Sequence, residues 1–211
     1  MDVTLHHGLP SGLRQAGARL YWAAFGPKLG RVLGPEPLAL AFLHRVIEAD
    51  QCFVALDAGG GLLGIAGYKT TGGSFAGGTL ADLRAVYGRW GAYWRGGLLL
   101  ALDRHADTDC FLMDGICVSA TAQGMGVGKA LLSALYGEAA RLGYPAIRLD
   151  VIDSNARARA LYDREGFVPI RTMRLGLLKH VFGFASSTTM IRPVASPSEG
   201  LLLSTSRPAR L

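Results

Sequence analysis

Two stretches near the N-terminus, "GLRQAGARLYWAAFGPKLGRVL" (12–33) and "EPLALAFLHRVIEAD" (36–50), repeat apolar residues at intervals of three and four. A Gly-Pro pair separates them, so the spacing predicts two helices. Apolar residues then run together in "CFVALDA" (52–58) and "GLLGIAGYKT" (61–70), split by a glycine triplet. Short blocks of this kind predict an antiparallel hairpin. A helical period returns in "TLADLRAVYGRWGAYWRGGLLLALDRHADTD" (79–109), interrupted by glycines, and predicts a mostly helical insertion.

The second half alternates more regularly. "FLMDGICV" (111–118) reads as a buried strand, and "VGKALLSALYGEAARLG" (127–143) as an amphipathic helix with Leu131, Leu132, Leu135, Tyr136, Ala139 and Leu142 on one face and a stop at Gly143. "AIRLDVID" (146–153) is a strand, and "SNARARALYDREG" (154–166) a short helix capped by Ser154 or Asn155. Further strands fall in "FVPIRTMRLGLL" (167–178) and "SSTTMIRPV" (186–194). The order predicts an α/β chain of the α+β type with a mixed sheet, in one domain over 1–193. The remaining 194–211, rich in Ser, Pro and Leu, reads as a tail, and no internal repeat is visible.

Composition narrows the class. Half of the 211 residues are hydrophobic and 18% are charged, which suits one sizeable core. No apolar run approaches the roughly 20 residues of a membrane span. "MDVTLHHGLP" has neither a basic nor an apolar leader region, so a cytoplasmic chain with no membrane partner is expected. Cys52, Cys110 and Cys117 lack the spacing of a disulfide framework or a metal site, and no metal is expected. Net charge is +6 and uneven: residues 1–110 hold 10 Lys/Arg against 9 Asp/Glu, and the rest 12 against 7. The positive half favours an anionic partner, although a solvated basic face accounts for it nearly as well.

That half also contains "VSATAQGMGVGKALL" (118–132), where glycines at 124, 126 and 128 join a strand to a helix. Glycine is poor inside either element, so bare backbone must have a use here. A Walker loop needs GxxxxGK and then Ser or Thr, but Gln123 stands five before Gly128 and Ala130 follows Lys129. Dinucleotide GxGxxG fails in both registers, with Lys129 or Leu131 at the third glycine. What remains is general: unpaired N–H groups at a helix start favour an anion such as pyrophosphate.

Gln123, Gly126 and Gly128 match Q/R-x-x-G-x-G/A, and Asn155, Ala158, Leu161, Tyr162, Gly166 and Phe167 match N-x-x-A-x-x-L-Y-x-x-x-G-F. In this order the two segments resemble the GNAT superfamily of acetyl-CoA-dependent N-acyltransferases. The resemblance covers 111–193 clearly and the hairpin more loosely. It implies a GNAT fold, a mostly antiparallel central sheet flanked by helices, with 79–109 as an insertion before the signature strand. It also implies acetyl-CoA as co-substrate, held by Gln123, Gly124, Met125, Gly126, Val127, Gly128 and Lys129 and by Asn155, Ala158, Leu161 and Tyr162. Backbone at Ile116, Cys117 and Val118 would bind the pantetheine arm and the carbonyl oxygen.

For the chemistry, Tyr162 is the position the resemblance assigns to donation at the departing sulfur, and packing with a free hydroxyl is its other reading. Asp114, in an apolar strand, is the candidate to take the amine proton; a hydrogen bond to neighbouring backbone or arginine is the alternative. Asn155 serves as helix cap and pantetheine ligand alike. Arg157, Arg159, Arg164 and Lys129 lie where adenosine phosphates or solvent would meet them. Cys117 has no His/Asp partner, so a core role is expected rather than an acyl-enzyme. Trp90, Tyr93, Trp94 and Leu98 share a helical stripe, read as core or acceptor-pocket wall rather than a nucleic-acid platform. The acceptor is a small-molecule or protein amine, with a homodimer left open. An inactive GNAT-like module that senses CoA is the alternative function.

Overall fold

Strands covered on both faces read as continuous apolar runs, and the centre of this sheet is built from such runs. The computed structural model describes residues 2–100 and 110–194. In chain order these form β1 (Thr4–His7), α1 (Arg14–Leu33), α2 (Glu36–Val46), β2 (Cys52–Leu56), β3 (Leu62–Thr70), β4 (Gly73–Ser74) and α3 (Leu80–Leu100). There follow β5 (Phe111–Val118), α4 (Val127–Arg141), β6 (Ala146–Ile152), α5 (Ala156–Arg164), β7 (Val168–Arg174), α6 (Lys179–Phe182) and β8 (Ser186–Pro193). The sheet has eight strands in the order β1-β2-β3-β5-β6-β8-β7, with β4 on the end of β3. Every pairing is antiparallel except β5 with β6.

Six consecutive residues of β3, Leu63 to Tyr68, are buried, because helices cover both sides of it. On one side α4 packs Leu131, Leu132, Leu135 and Ala139 against Leu63, Phe111, Ile147 and Leu149. Each of the three leucines is fully buried, so truncating any one to Ala costs about 2–5 kcal/mol. On the other side Ala18 and Tyr21 of α1 and Leu43 of α2 pack on Val54, Ile65, Phe75 and Cys117. The expected amphipathic face of α4 is therefore seen, except that Leu142 lies past the helix and is exposed.

Two strands escape the pattern. β1 is four residues with every position exposed, at the sheet edge, and β4 is two residues. The insertion is helical over the residues described, and 101–109, like 195–211 of the expected tail, lies outside them. Its period breaks at Gly88 (φ 70°, ψ 178°), which divides α3 into two helical halves, with Gly96 of the second packed on Leu80 and Leu83 of the first. The aromatic stripe is not core: Trp90 is 88% exposed, and Tyr93 and Trp94 are about half exposed. Ala92 is buried instead, with Gly96 and Leu99 on the same helical face, because small residues let the second half lie close to its neighbours. No helix among the described residues is long and apolar enough to cross a membrane.

Candidate active site

Parallel strands β5 and β6 pair only at Phe111–Ile147 and Leu112–Arg148. Past Leu112, β5 stays paired to β3 as far as Val118 and β6 stays paired to β8 as far as Ile152. The two strands thus part, and the facing edge of β5 is left without a ladder partner. Such an edge supplies main-chain donors and acceptors to an extended ligand.

The same strand carries an irregularity at Asp114. Gly67 pairs with Gly115 and the next residue, Tyr68, pairs with Met113, so Asp114 is the extra residue of a β-bulge. A bulge re-aims a side chain. Here Asp114 turns to the α1 side, where Oδ2 accepts hydrogen bonds from Ser74 Oγ at 2.6 Å and from the Ala76 N–H at 3.3 Å. Gly115 faces the same side, and a Cβ on it would stand 2.5 Å from Phe25 Cζ, so only glycine admits that ring. The bond to backbone weighed for Asp114 is present, and its carboxylate nevertheless lines a cavity of about 720 Å³.

That cavity is walled by Tyr21, Phe25, Lys28 and Leu29 of α1, by residues of α2 and α3, and by Asp150 and Ile152 of β6. Tyr93, from the insertion, lines it too. Burial, with Asp114 and then Cys117 adding to it, pushes the Tyr21 hydroxyl well above its ordinary pKa. Burial also lowers the Lys28 ammonium.

On the α4 side the glycine loop closes on α5. Gly124 and Gly126 have φ of 86° and 81°, a region that other residues enter at a cost, and a Cβ on either would point into open space. Gly126 is the N-cap of α4, and the first intrahelical bond runs from Ala130 N–H to Gly126 O at 3.0 Å. The N–H groups of Val127, Gly128 and Lys129 precede it and belong to the free donors of a helix start. Gln123 ties the loop down: its Nε2 donates to Val118 O at 3.3 Å and its Oε1 accepts from Arg157 at 2.5 Å. Gly128 faces Leu161 and Val118, while Lys129 stands 3.9 Å from Glu165.

Residues 123–129 therefore meet 157–165 at the end of β5. Asn155 Oδ1 caps α5 by accepting from the Ala158 N–H at 3.2 Å. Arg159 pairs along the helix with Asp163, an exposed pair of small worth. Ala158 and Leu161 are half-buried against the core, Met125 is exposed, and Ile116 and Val118 face the α4 side while Cys117 faces α1.

The acetyltransferase (GNAT) family matches residues 16–167 of this sequence. The chain belongs to that family. Solved structures agree in fold. An N-acetyltransferase from Staphylococcus aureus Mu50 superposes with TM-score 0.65 at 15% identity, over 90% of this chain and 100% of that one. A GNAT superfamily phosphinothricin acetyltransferase from Sinorhizobium meliloti, in complex with AcCoA, gives 0.59 at 20% identity, over 100% and 95%. The ribosomal-protein-S18-alanine N-acetyltransferase from Escherichia coli gives 0.53 at 17% identity, over 92% and 95%. Among curated proteins, none matches this chain.

A GNAT protein needs a place for a pyrophosphate, and the residues present fit one: donors of a helix start, beside two glycines whose missing side chains leave room. Tyr162 is only 4% exposed, edge-on to Phe167 at 5.7 Å, and burial, with Tyr136 adding to it, raises its hydroxyl pKa. It packs in the α4-side core and is not among the residues lining the cavity, whereas Asp114 is. Between those two sides lies the gap between β5 and β6. Sequence reasoning missed Tyr21, Phe25 and Lys28, whose signal was their spacing of four and three along α1, and Ser74, which had none. Cys117 is buried and hydrogen-bonded to Ile65 O at 3.7 Å, and burial pushes its thiol up to about 12, as a core residue requires.

Proposed function

We propose that this GNAT-family protein transfers an acetyl group from acetyl-CoA to a primary amine by direct attack within a ternary complex, in one domain over 1–193 of a cytoplasmic chain. The observation that carries this reading is the parting of β5 from β6, with bare helix-start amides on one side and the Asp114-bearing cavity on the other. When bound, acetyl-CoA supplies the thioester. The amides of 126–129 hold its diphosphate, while the Met125 N–H is donated to Ala122 O, and the free edge of β5 around Ile116, Cys117 and Val118 holds the pantetheine and polarises the carbonyl oxygen.

An alkyl amine of pKa about 10.4 is roughly 0.04% neutral at pH 7. Asp114 relieves that shortage by taking the amine proton, its Oδ2 fixed by Ser74 and Ala76 in the cavity wall. Tyr162 acts at the sulfur. Because burial keeps its hydroxyl protonated, it stabilises the leaving thiolate by donating a hydrogen bond rather than by surrendering a proton outright. Asn155 holds α5 at the end of β5 through its cap. Acceptors named for the similar structures range from a small molecule to a ribosomal protein, and a cavity of about 720 Å³ favours a small molecule here.

Thiol release from acetyl-CoA over an amine panel, with mass spectrometry of the products, tests this. Acetylated amine is the expected product. Tight acetyl-CoA binding with no acetylation across the panel would leave a CoA-sensing module instead.

A further inference from the structure

Four charged residues line the cavity: Lys28, Lys69, Asp114 and Asp150. Three are engaged. Asp114 accepts from Ser74 and Ala76, Asp150 Oδ1 accepts from Thr189 Oγ1 at 2.5 Å, and Lys69 has a partner as well. Lys28 differs. Its Nζ rests over the Phe25 ring, 5.0 Å from the centroid, and it makes no ion pair or hydrogen bond among the described residues.

An ammonium in the same wall as Phe25, Leu29, Leu33 and Leu83, with no counter-ion among the described residues, is costly to keep charged. Its burial already lowers its pKa. A base role is the first thought for such a lysine, but its ammonium meets the Phe25 ring rather than Asp114. The ring of Phe25 touches Gly115 beside the bulge and carries Lys28 on its face, and Lys28 forms no ion pair with Asp114. Besides the engaged Lys69 and Asp150, the cavity thus holds a carboxylate at the strand gap and, across the Phe25 ring on α1, a cation with no counter-ion among the described residues.

We propose that the acceptor is an amine with an anionic group at the opposite end of an apolar body, and that Lys28 binds that group. This rests on the acyl-transfer reading only for the identity of the Asp114 end.

The test uses a matched pair, 4-(aminomethyl)benzoate and benzylamine, titrated calorimetrically into the full-length protein with saturating CoA. The carboxylate member binds at least about tenfold tighter, as a charge-assisted hydrogen bond would give. Lys28→Met brings the two affinities within about threefold of each other, and Lys28→Arg keeps the preference. Equal binding by the wild type, a preference for benzylamine, no binding of either, or a preference that survives Lys28→Met each overturns the proposal. Thiol release with the same pair reports on the chemistry separately. Discrimination in binding without turnover ends the transfer reading and spares Lys28, and turnover with equal kcat/KM for the pair does the reverse.

Discussion

Around the start of α4 the protein offers backbone: the amides of 126–129, glycines at positive φ, and a loop held by Gln123, Leu161 and Glu165. Across β5 the cavity offers side chains from many places, Tyr21 and Lys28 from α1, Ser74 after β3, Tyr93 from the insertion and Asp150 from β6. The contrast matches the two ligands. A diphosphate is the same in every acyl-CoA, so main-chain donors serve it with no side chain to vary. An acceptor differs from enzyme to enzyme, and only side chains can distinguish it.

Gly126→Val attacks the backbone half and has the largest expected effect. Valine at φ 81° costs about 1–2 kcal/mol of backbone strain, and its methyl groups enter the space left for the phosphates. Acetyl-CoA affinity should fall roughly 100-fold or more by calorimetry, with the circular dichroism of the wild type retained. Affinity kept within threefold would break the comparison, because the loop would then not be the cradle.

Asp114→Asn probes the side-chain half. Asparagine Oδ1 still accepts from Ser74 and so preserves the bulge, but it cannot take a proton. At pH 7 kcat/KM should fall about 30- to 100-fold. The sign with pH is definite: as pH rises toward the amine pKa near 10.4, more acceptor arrives neutral and the deficit shrinks. A deficit that stays constant from pH 7 to pH 10 would mean Asp114 only shapes the bulge.

Tyr162→Phe, on the α4 side, comes next in size. Phenylalanine preserves the edge-on packing against Phe167, so the fold and acetyl-CoA affinity should hold within about threefold while kcat drops roughly tenfold. An unchanged kcat would remove Tyr162 from the reaction and leave it a core residue. The drop should also survive at high pH, since the hydroxyl's raised pKa keeps its proton in place.

The two halves were unequally legible, and the reason is sequence distance. Gln123 to Lys129 and Asn155 to Tyr162 are short contiguous segments, so one strand-to-helix turn and one capped helix already imply their geometry. The cavity depends on contacts between distant residues, such as Ser74 with Asp114, 40 apart, and Phe25 with Gly115. Tyr21, Phe25, Lys28 and Leu29 have the spacing of any core-facing helix, and nothing local says that the space beneath them is left unfilled. The aromatic stripe of the insertion failed for a related reason. A period identifies a face but not which face is buried, and Ala92, Gly96 and Leu99 prevailed because small residues permit closer packing. β1 and β4 were too short for any pattern.

The smallest expected effect sharpens what lies between the halves. Cys117 sits on β5 where both ligands would meet, and a thiol there invites a covalent acyl-enzyme. Its surroundings oppose that. Burial raises it to about 12, so at pH 8 only roughly one molecule in 10,000 carries the thiolate that a nucleophile needs. Its neighbour across β3, Cys52, is raised to about 12 by burial as well. Iodoacetamide at pH 8 should therefore leave both unmodified in the native protein and alkylate both in denaturant. Cys117→Ala should keep kcat within about threefold and lose about 1 kcal/mol of stability from the small cavity it opens. A trapped acetyl group on Cys117 after mixing with acetyl-CoA alone would replace direct attack with a two-step route. The amine specificity of the cavity would then act on the second step.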